Sequence, residues 1–303
     1  MFAVIINRAS GGGKNAGLPE QIAALLRERG DTYRIYEPNG DGGTAKSIHQ
    51  ALAEGCTQIV CIGGDGTLRE AVSELAGKSA VLYIVPGGTG NDFARAFGLP
   101  KDPLEAFKQQ LSGKPVSIDC GKVNDYYFLN ISGSGFDVEV LRRTEELKSI
   151  YPGEKAYHKA VVSIIGKYRA FEADLTLDGG QTEHIKSTIV EVSNGQCIGG
   201  GMRVAPDAQL NDGLFDVVVV RTVPPLAIPL LLPLFKLGLH TKLPFAQVKR
   251  AKKVDLRAKG MIVNIDGELV AMDEAHFEIL PGALSMRLPV SPGPGLRSCK
   301  LHN

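Results

Sequence analysis

Two glycine-rich stretches decide the fold of this chain: residues 59–68, which read IVCIGGDGTL, and residues 81–93, which read VLYIVPGGTGNDF. Each begins with a short apolar run typical of a buried β-strand and then passes through glycines into a segment with helical spacing. Strand, glycines and helix in that order are typical of a parallel α/β sheet, whose ligand crevice lies at the carboxyl ends of its strands. The sequence therefore predicts two neighbouring glycine loops at that edge.

The same alternation of strand and helix continues towards the N-terminus. Residues 2–6 and 33–36 are further β-type runs, and apolar residues at helical spacing separate the four runs. A third glycine loop, residues 7–14 with the sequence NRASGGGK, follows the first run. The first third of the chain is therefore predicted to be an α/β domain whose parallel, Rossmann-like sheet is covered on both faces.

Beyond about residue 115 the pattern changes to alternating runs separated by turn signals, which predicts mainly antiparallel β-structure. The hairpin signals are Asn124-Asp125, Asp178-Gly179-Gly180, Asp212-Gly213 and Asp266-Gly267. Helical interruptions are predicted at residues 137–148 and 155–168, with a third in the proline-rich apolar stretch 223–235.

Length and composition allow two globular domains. The chain has 303 residues, of which 44% are hydrophobic and 22% are charged, as in ordinary globular proteins. We predict domains at residues 1–115 and 116–288, and the chain end near residues 289–303 is allowed to return to the first domain.

The charge balance gives no general attraction for nucleic acid, which we exclude as a partner. Lys and Arg number 34 and Asp and Glu number 33, for a net charge of +1, so any anion site must be local. The 36 glycines cluster where backbone could approach a phosphate. Five cysteines without a CxxC pair favour a reducing cytoplasm, and six histidines without a zinc-site spacing argue against catalytic zinc.

The glycine loops are candidate phosphate sites. Glycines after a parallel strand let backbone N–H groups face a phosphate, and the following helix adds the positive end of its dipole. Asp65 is placed to meet a phosphate-bound magnesium, and Thr89 to hydrogen-bond a phosphate oxygen. The alternative for residues 63–67 alone is an ordinary glycine turn in which Asp65 caps the helix.

The ordered combination of motifs resembles the bacterial diacylglycerol kinase-like lipid kinases, which are related to sphingosine and ceramide kinases within the NAD kinase/diacylglycerol kinase-like superfamily. The segments that carry the resemblance are residues 7–11, 63–67 with Glu70, 86–93, Asn194, 206–213 and 266–268. The GGDGT motif alone also resembles NAD kinases and phosphofructokinases, whereas GGTGNDFA favours the lipid branch. The resemblance implies a nucleotide domain, a C-terminal β-sandwich domain and a catalytic cleft between them.

The resemblance also implies which residues bind the cofactors. ATP would be held by Asn7, Arg8, Ala9, Ser10, Gly11, Gly64, Asp65, Gly66, Thr67, Leu68, Arg69, Glu70 and Thr89. A structural Mg²⁺ would lie on the Asp212 side chain, with backbone help from Gln209 and Leu214. From the residues alone, an ordinary Asn-Asp-Gly turn is the alternative explanation at Asp212.

The Asp-Gly-Glu motif at residues 266–268 is predicted to carry the catalytic base. An alcohol attacks a γ-phosphoryl group poorly until its proton has an acceptor, and the resemblance places that acceptor in this motif. Glu268 is the first candidate and Asp266 its rival, with Asp65 organising Mg-ATP. The alternative is a type I′ hairpin turn that performs no chemistry.

These observations predict an ATP-dependent, magnesium-requiring lipid kinase that phosphorylates a lipid alcohol, with diacylglycerol to phosphatidic acid as the first choice. Three other hypotheses stay open. They are an NAD kinase-like enzyme, a catalytically silent lipid-binding protein, and a dinucleotide-binding oxidoreductase that uses the loose GxGxxA pattern at Gly11, Gly13 and Ala16.

A lipid substrate raises the question of membrane contact. We predict a cytoplasmic protein with peripheral contact at the inner membrane face, and a homodimer is left open. The apolar stretch 230–237 fits a core helix first and an acyl pocket or bilayer contact second. A basic cluster that would attract anionic headgroups follows it at Lys249, Arg250, Lys252 and Lys253.

Overall fold

The computed structural model describes residues 1–7, 17–38, 40, 42–88, 90–151, 154–199 and 201–289. The chain divides into two compact units. The first unit comprises Met1–Cys120, Leu210–Asp212 and Leu280–Asn303, and the second comprises Gly121–Gln209 and Gly213–Ile279. The boundary expected at residues 115–116 stays a prediction.

The first unit alternates strands and helices, as predicted. In chain order they are β1 (Phe2–Ile6), α1 (Leu18–Glu28), β2 (Tyr33–Tyr36), α2 (Gly43–Ala53), β3 (Gln58–Gly63), α3 (Asp65–Leu75), β4 (Val81–Pro86), α4 (Asp92–Ala96) and α5 (Pro103–Ser112). Strand β1 pairs in parallel with β2 and with β3, and β3 pairs in parallel with β4. The predicted parallel sheet is confirmed.

This sheet is buried on both faces. On one face Val4, Val60 and Val85 form a core with apolar residues of α1 and α5. On the other face Ile5 and Ile59 are fully buried, and α2 and α3 contact β1 and β3. Because both faces of the inner strands meet helices, β1, β3 and β4 are nearly continuous apolar runs, whereas the edge strand β2 keeps Arg34 and Ile35 exposed.

Strand β5 (Lys114–Val123) contributes residues to both units, and the second unit continues with antiparallel strands and three helices. They are β6 (Tyr126–Phe128), β7 (Ile131–Gly135), α6 (Phe136–Leu147), α7 (Glu154–Ile164), β8 (Phe171–Leu177), β9 (Glu183–Ser193), β10 (Phe215–Arg221), α8 (Ile228–Leu237), β11 (Ala246–Ala251), β12 (Lys253–Arg257), β13 (Ile262–Ile265), β14 (Glu268–Ala271) and the first part of β15 (Glu274–Leu288). The strand order is β14-β13-β7-β9-β8-β12-β15, with β10 between β9 and β11. The antiparallel β-domain and its three helices are confirmed.

Strand β10 lies between two cores of the second unit. Its residues Phe215, Val217 and Val219 pack into one core, made of residues from the surrounding strands. Val218 and Val220 pack into the other, together with residues of α6, α7 and α8. Alternate side chains of a strand point to opposite faces, so a strand covered on both sides needs apolar residues at nearly every position.

Three of the four predicted hairpin signals connect paired strands. Asn124, Asp178 and Asp266 have positive φ angles of 49°, 50° and 46° and lie between β5 and β6, β8 and β9, and β13 and β14. The tight hairpin predicted at Asp212-Gly213 is wrong: β9 and β10 do pair antiparallel, but residues 194–214 separate them. Gly213 has a φ of 69°, so the dipeptide marks left-handed backbone at the end of a long connection.

A buried glutamine completes the hydrogen bonding of β4. The last part of β15 pairs in parallel with β4 at Val81 and Leu82. Further along β4, the Ile84 N–H donates to Gln110 Oε1 at 2.9 Å, and Gln110 Nε2 donates to Ile84 O at 2.7 Å. Gln110 is fully buried, so its amide group takes the place of a neighbouring strand.

Helix α8 covers the proline-rich apolar stretch with ten residues and contains Pro233. Within the described ranges, no helix combines the length and the apolar character that crossing a membrane requires.

Replacing Gln110 by leucine tests its role in the sheet. Gln110→Leu leaves the N–H and C=O of Ile84 buried without partners, so the free energy of unfolding should fall by about 2–5 kcal/mol. Gln109→Leu, on the same helix with its side chain hydrogen-bonded to Glu105 near solvent, should change it by no more than about 0.5 kcal/mol. Urea unfolding measures both, and equal stability of the two variants would contradict this role.

Candidate active site

Two glycine loops lie against each other at the ends of β3 and β4. The Gly87 N–H donates to Gly63 O at 2.8 Å. A Cβ added to Gly88 would lie 2.5 Å from the Cα of Gly64, which is closer than side-chain atoms pack, so the approach requires glycine. It brings the backbone amides of two loops together at the carboxyl edge of a parallel sheet, where such sheets bind phosphates.

Asp65 begins α3 and reaches the loop that follows β4. Its carboxylate accepts the Phe93 N–H at 3.5 Å, and a Cβ on Gly90 would lie 2.7 Å from Asp65 Oδ2. Burial raises the pKa of Asp65, and the nearby charge of Asp92 raises it further, while backbone N–H groups partly offset both effects. The carboxyl group is therefore held against the glycine backbone, where its oxygens suit a hard cation once deprotonated.

The side chains of Asn91 and Arg95 hold the loop after β4. Gly88 N–H donates to Asn91 Oδ1 at 3.0 Å, and Asn91 Nδ2 returns a hydrogen bond to Gly88 O at 2.7 Å. Arg95 Nη2 donates to Gly90 O at 2.9 Å. These contacts hold the loop on both sides of Thr89, which lies outside the described residues.

The predicted nucleotide residues of α3 differ in their surroundings. Thr67 and Leu68 are buried, so they would reach a ligand through the backbone of the first helical turn. Glu70 accepts the N–H groups of Thr44 at 3.0 Å and Ala45 at 3.2 Å. The Glu70 carboxylate therefore caps α2, a structural role that sequence reasoning missed because the partners lie far away in the chain.

The other described residues that were predicted to bind the nucleotide lie in or next to β1 and α3. Gly64 precedes α3 with an extended backbone, Gly66 is exposed in its first turn, and Arg69 is half-buried. The Asn7 N–H extends β1 by donating to Ile62 O at 3.3 Å. Outside the described residues lie Arg8, Ala9, Ser10 and Gly11, together with Gly13 and Ala16 of the dinucleotide pattern.

In the second unit, the Asp-Gly-Glu motif forms the turn between β13 and β14. Asp266 and Gly267 both have positive φ, 46° and 96°, as a type I′ turn requires. The Asp266 carboxylate accepts three consecutive backbone N–H groups, those of Leu129 at 2.6 Å, Asn130 at 3.0 Å and Ile131 at 3.0 Å. Such donors stabilise the charged carboxylate, so Asp266 anchors the turn.

Glu268 follows this turn as the first residue of β14 and is half-buried. The two acids of the motif therefore differ in position, because Asp266 is held by the backbone of residues 129–131 while Glu268 leaves the turn along β14. The two acids therefore have different contacts, and the choice between them as the base stays a prediction.

A buried pair of acids that sequence reasoning missed lies beside the turn. The Gly267 N–H donates to Asn264 Oδ1 at 2.8 Å, and Asn264 Nδ2 donates to Asp137 Oδ2 at 2.9 Å. The carboxyl group of Glu191, which is 1% exposed, lies within hydrogen-bonding reach of Asp137. An acid within the apolar run 189–192 of β9 is the sequence signal that points to such a pair.

The surroundings of the two buried carboxyl groups favour their protonated forms. Burial raises the pKa of Glu191 well above its ordinary value, and the charge of Asp137 raises it further. Burial also raises the pKa of Asp137, although Asn264 partly offsets this. Glu191 Oε2 and Asp137 Oδ1 have no other hydrogen-bond partner among the described residues. A proton on either group can be donated to the other as a hydrogen bond, so the pair ionises fully only above the ordinary range of a carboxyl pKa.

The residues predicted to hold magnesium lie in the connection between β9 and β10. Gln209, Asp212 and Leu214 are each half-buried, and the Asp119 N–H fixes the segment by donating to Leu210 O at 2.6 Å. One carboxylate with amide and carbonyl oxygens is a donor set that suits magnesium retaining several waters. The described part of the chain holds no group of three or more His, Cys, Asp or Glu able to bind a metal.

Comparison with known proteins identifies the family. Residues 1–123 match the diacylglycerol kinase catalytic domain, and residues 130–288 match the YegS C-terminal NAD kinase beta sandwich-like domain. The chain belongs to the diacylglycerol kinase-like lipid kinases. The resemblance found in the motifs is thereby confirmed, and membership of a kinase family implies the use of a nucleotide.

Relatives match over nearly the whole chain. The diacylglycerol kinase of Mycobacterium tuberculosis is 30% identical, and the match covers 94% of both chains. The Pseudomonas aeruginosa protein named "Probable lipid kinase YegS-like" is 34% identical over 91% of this chain and 92% of its own. A solved structure from Bacillus anthracis str. Sterne, assigned to the diacylglycerol kinases, has a TM-score of 0.79 and 27% identity, with 96% of each chain covered.

Substituting the glycines tests the contact between the two loops. Gly88→Ala places a methyl group against Gly64, so the loops must separate, and the free energy of unfolding should fall by about 1–3 kcal/mol. Gly66→Ala is the matched control, because nothing lies within 4 Å of an added Cβ, and it should be neutral or stabilising by up to about 1 kcal/mol. Chemical denaturation measures both, and a fully stable Gly88→Ala protein would contradict the contact.

The acid pair makes stability depend on pH. In the native state Glu191 keeps its proton, whereas in the unfolded chain it ionises around its ordinary pKa of 4.5. The native state therefore binds more protons, and stability falls as pH rises from that value towards the raised native pKa. Glu191→Gln, which mimics the neutral acid, should remove this fall.

The measurement is the free energy of urea unfolding between about pH 5 and pH 8. The difference between Glu191→Gln and the wild-type protein should shift steadily in favour of the variant as pH rises. Glu20→Gln, at an exposed position on α1, should show a constant difference. A constant difference for Glu191→Gln as well would mean that the pair does not hold a proton.

Proposed function

We propose that this protein is an ATP-dependent, magnesium-requiring kinase that transfers the γ-phosphoryl group of ATP to the hydroxyl of a lipid alcohol, with diacylglycerol as the first substrate to test. The kinase family supports the lipid class. The observation that carries the nucleotide assignment is the contact of Gly64 with Gly88 beside the Asp65 carboxyl group.

The first unit supplies the donors for phosphate. The first turn of α3 offers backbone N–H groups that have no acceptor within the helix, and the helix dipole favours an anion there. The loop after β4 adds its own amides, held in place by Asn91 and Arg95. Thr89 and the loop at residues 7–11 would complete the phosphate contacts in this proposal.

Magnesium is assigned to two places in the proposal. Bound with the nucleotide, it would neutralise charge on the phosphate oxygens, and Asp65 is the residue proposed to hold it. Because the pKa of Asp65 is raised, metal binding there would compete with a proton and strengthen as pH rises. A structural ion is proposed on Asp212 with oxygens of Gln209 and Leu214.

Glu268 is proposed as the base. As the lipid hydroxyl oxygen forms its bond to the γ-phosphorus, the bond to the bridging oxygen of ADP breaks and the hydroxyl proton passes to the Glu268 carboxylate. The three N–H donors on Asp266 favour this choice, because an anion stabilised in that way is a poor proton acceptor. Asp266 instead fixes the turn from which Glu268 projects.

Separate substitutions of the two acids test this assignment. Glu268→Gln keeps the shape and removes the proton acceptor, so kcat should fall about 10²- to 10⁴-fold with an unchanged unfolding midpoint. Asp266→Asn replaces one accepting oxygen by an amide group that donates, so the free energy of unfolding should fall by about 1–3 kcal/mol. ADP release with Mg-ATP and diacylglycerol, together with thermal unfolding, measures both effects.

Two patterns would overturn parts of the proposal. Full turnover by Glu268→Gln, with loss of turnover in a fully stable Asp266→Asn protein, would make Asp266 the base.

An ADP-release screen over diacylglycerol, ceramide, sphingosine, phosphatidylglycerol and NAD tests which substrate is phosphorylated. Turnover of NAD alone would replace the lipid kinase by an NAD kinase, and ATP binding without ADP release on any of these would indicate a catalytically silent protein.

A further inference from the structure

An exposed apolar face runs along α8 and the turn before it. Leu226, Leu230 and Leu237 are 79%, 77% and 61% exposed, and Pro233 between them is also exposed. Their spacing of four, three and four residues places them on one side of a helix. We call these four residues the α8 face.

The opposite side of α8 packs against a core of the second unit. Ile228 is buried, and Leu231, Leu232 and Phe235 pack partly buried against the core between α8 and β10. The helix is therefore apolar on both sides, although only one side packs against other described residues. A surface helix ordinarily has a polar outer side, and a contiguous exposed apolar patch marks an interaction site.

The chain segment that carries the α8 face has charges of one sign. Residues 222–245 contain no Asp or Glu. Lys236 and Lys242 are the lysines of this segment, both are exposed, and neither forms an ion pair with a described residue. His240 is buried, and burial lowers its pKa, which keeps it neutral near pH 7. The patch therefore combines exposed leucines with lysines available to an anionic partner.

The basic cluster expected from the sequence, which is Lys249, Arg250, Lys252 and Lys253, is less available to anionic lipid. Three of its four residues form ion pairs, which are Lys249 with Glu183, Arg250 with Asp216 and Lys253 with Glu278. Since these charges are already balanced, the cluster attracts anionic lipid less than its sequence implies. The interpretation of residues 230–237 as a core helix holds for one side of α8 only.

We propose that the α8 face docks on the surface of an anionic phospholipid bilayer, with its leucines in the acyl boundary and Lys236 and Lys242 at the headgroups. Apolar burial and attraction between lysines and anionic lipid act together in such helices. The proposal rests on the proposed function, because a kinase acting on a lipid alcohol must reach a substrate held in a bilayer.

A second copy of the chain is a poorer occupant of this face. A symmetric contact uses the same patch on both copies, so it would bring Lys236 and Lys242 close to their own equivalents without an acid in the segment to balance them. Like charges brought together in this way oppose association. An anionic bilayer balances the same lysines.

Cosedimentation of the full chain with lipid vesicles, without nucleotide, tests the proposal. Vesicles of phosphatidylcholine containing phosphatidylglycerol should bind the protein, and added salt should weaken binding. The triple variant Leu226→Gln, Leu230→Gln, Leu237→Gln should lower the partition coefficient by about tenfold or more. Lys236→Glu with Lys242→Glu should weaken binding to the anionic vesicles and leave binding to pure phosphatidylcholine unchanged.

Matched controls lie in the first unit. Ile35→Gln removes an apolar side chain that is 39% exposed, and Lys78→Glu reverses an exposed charge, and both variants should bind vesicles like the wild-type protein. The leucines of the α8 face are exposed, so the triple variant should keep the wild-type unfolding midpoint. Wild-type protein that fails to bind anionic vesicles, or a triple variant that binds them as well as wild type, would overturn the proposal.

Sedimentation velocity tests whether a second copy of the chain occupies the α8 face instead of a bilayer. A dimer that the triple variant dissociates, with vesicle binding unchanged, would assign the α8 face to a contact between copies and overturn the bilayer proposal. Loss of vesicle binding with an unchanged oligomeric state supports it.

Activity on two forms of substrate separates this inference from the proposed function. The triple variant should turn over short-chain diacylglycerol dispersed in solution at the wild-type rate and lose about tenfold or more on diacylglycerol embedded in vesicles. Equal rates of wild type and variant on vesicles would count against the α8 face. If the wild-type protein turns over neither form, the kinase proposal fails, and vesicle binding alone still decides the inference.

Discussion

The contact between Gly64 and Gly88 is the constraint on which the proposed nucleotide site depends. A side chain at Gly88 would push the loops after β3 and β4 apart, and the amides of the two loops would no longer face one region. The contact also brings Asp65 under the second loop, where burial raises its pKa. One steric requirement therefore sets both the phosphate donors and the surroundings of the carboxyl group next to them.

In the second unit, several acidic side chains lie within a β-domain, and neighbouring groups stabilise them. Asp266 is compensated by three backbone N–H donors, and Asp137 accepts a hydrogen bond from the amide of Asn264 beside Glu191, whose pKa is raised. Since Asn264 also accepts the Gly267 N–H, hydrogen bonds connect the Asp137 side of the turn to its backbone, while Asp266 holds the turn from residues 129–131. Glu268 therefore follows a turn whose backbone is fixed from two directions, which suits the positioning that its proposed role as base requires.

Features that depend on nearby residues could be predicted from the sequence. The strands and glycine loops of the first unit follow from apolar runs bounded by glycine, and the turn at Asp266 from its Asp-Gly pair. The same reasoning failed at Asp212-Gly213, because left-handed backbone occurs in any connection and does not require strand pairing. The different roles of Asp266 and Glu268 could not be predicted, because the donors at residues 129–131 are distant in the chain and meet Asp266 only through the fold.

The strand β15 has a consequence for biosynthesis. Its residues Ser285 and Met286 pair with β4 and emerge from the ribosome after the second unit has been made. Until then the edge of β4 stays without that neighbour, and open strand edges invite wrong pairing in a nascent chain. Residues of the first unit are therefore made both before and after the second unit, so a chain broken off before Ser285 would leave β4 without this strand partner.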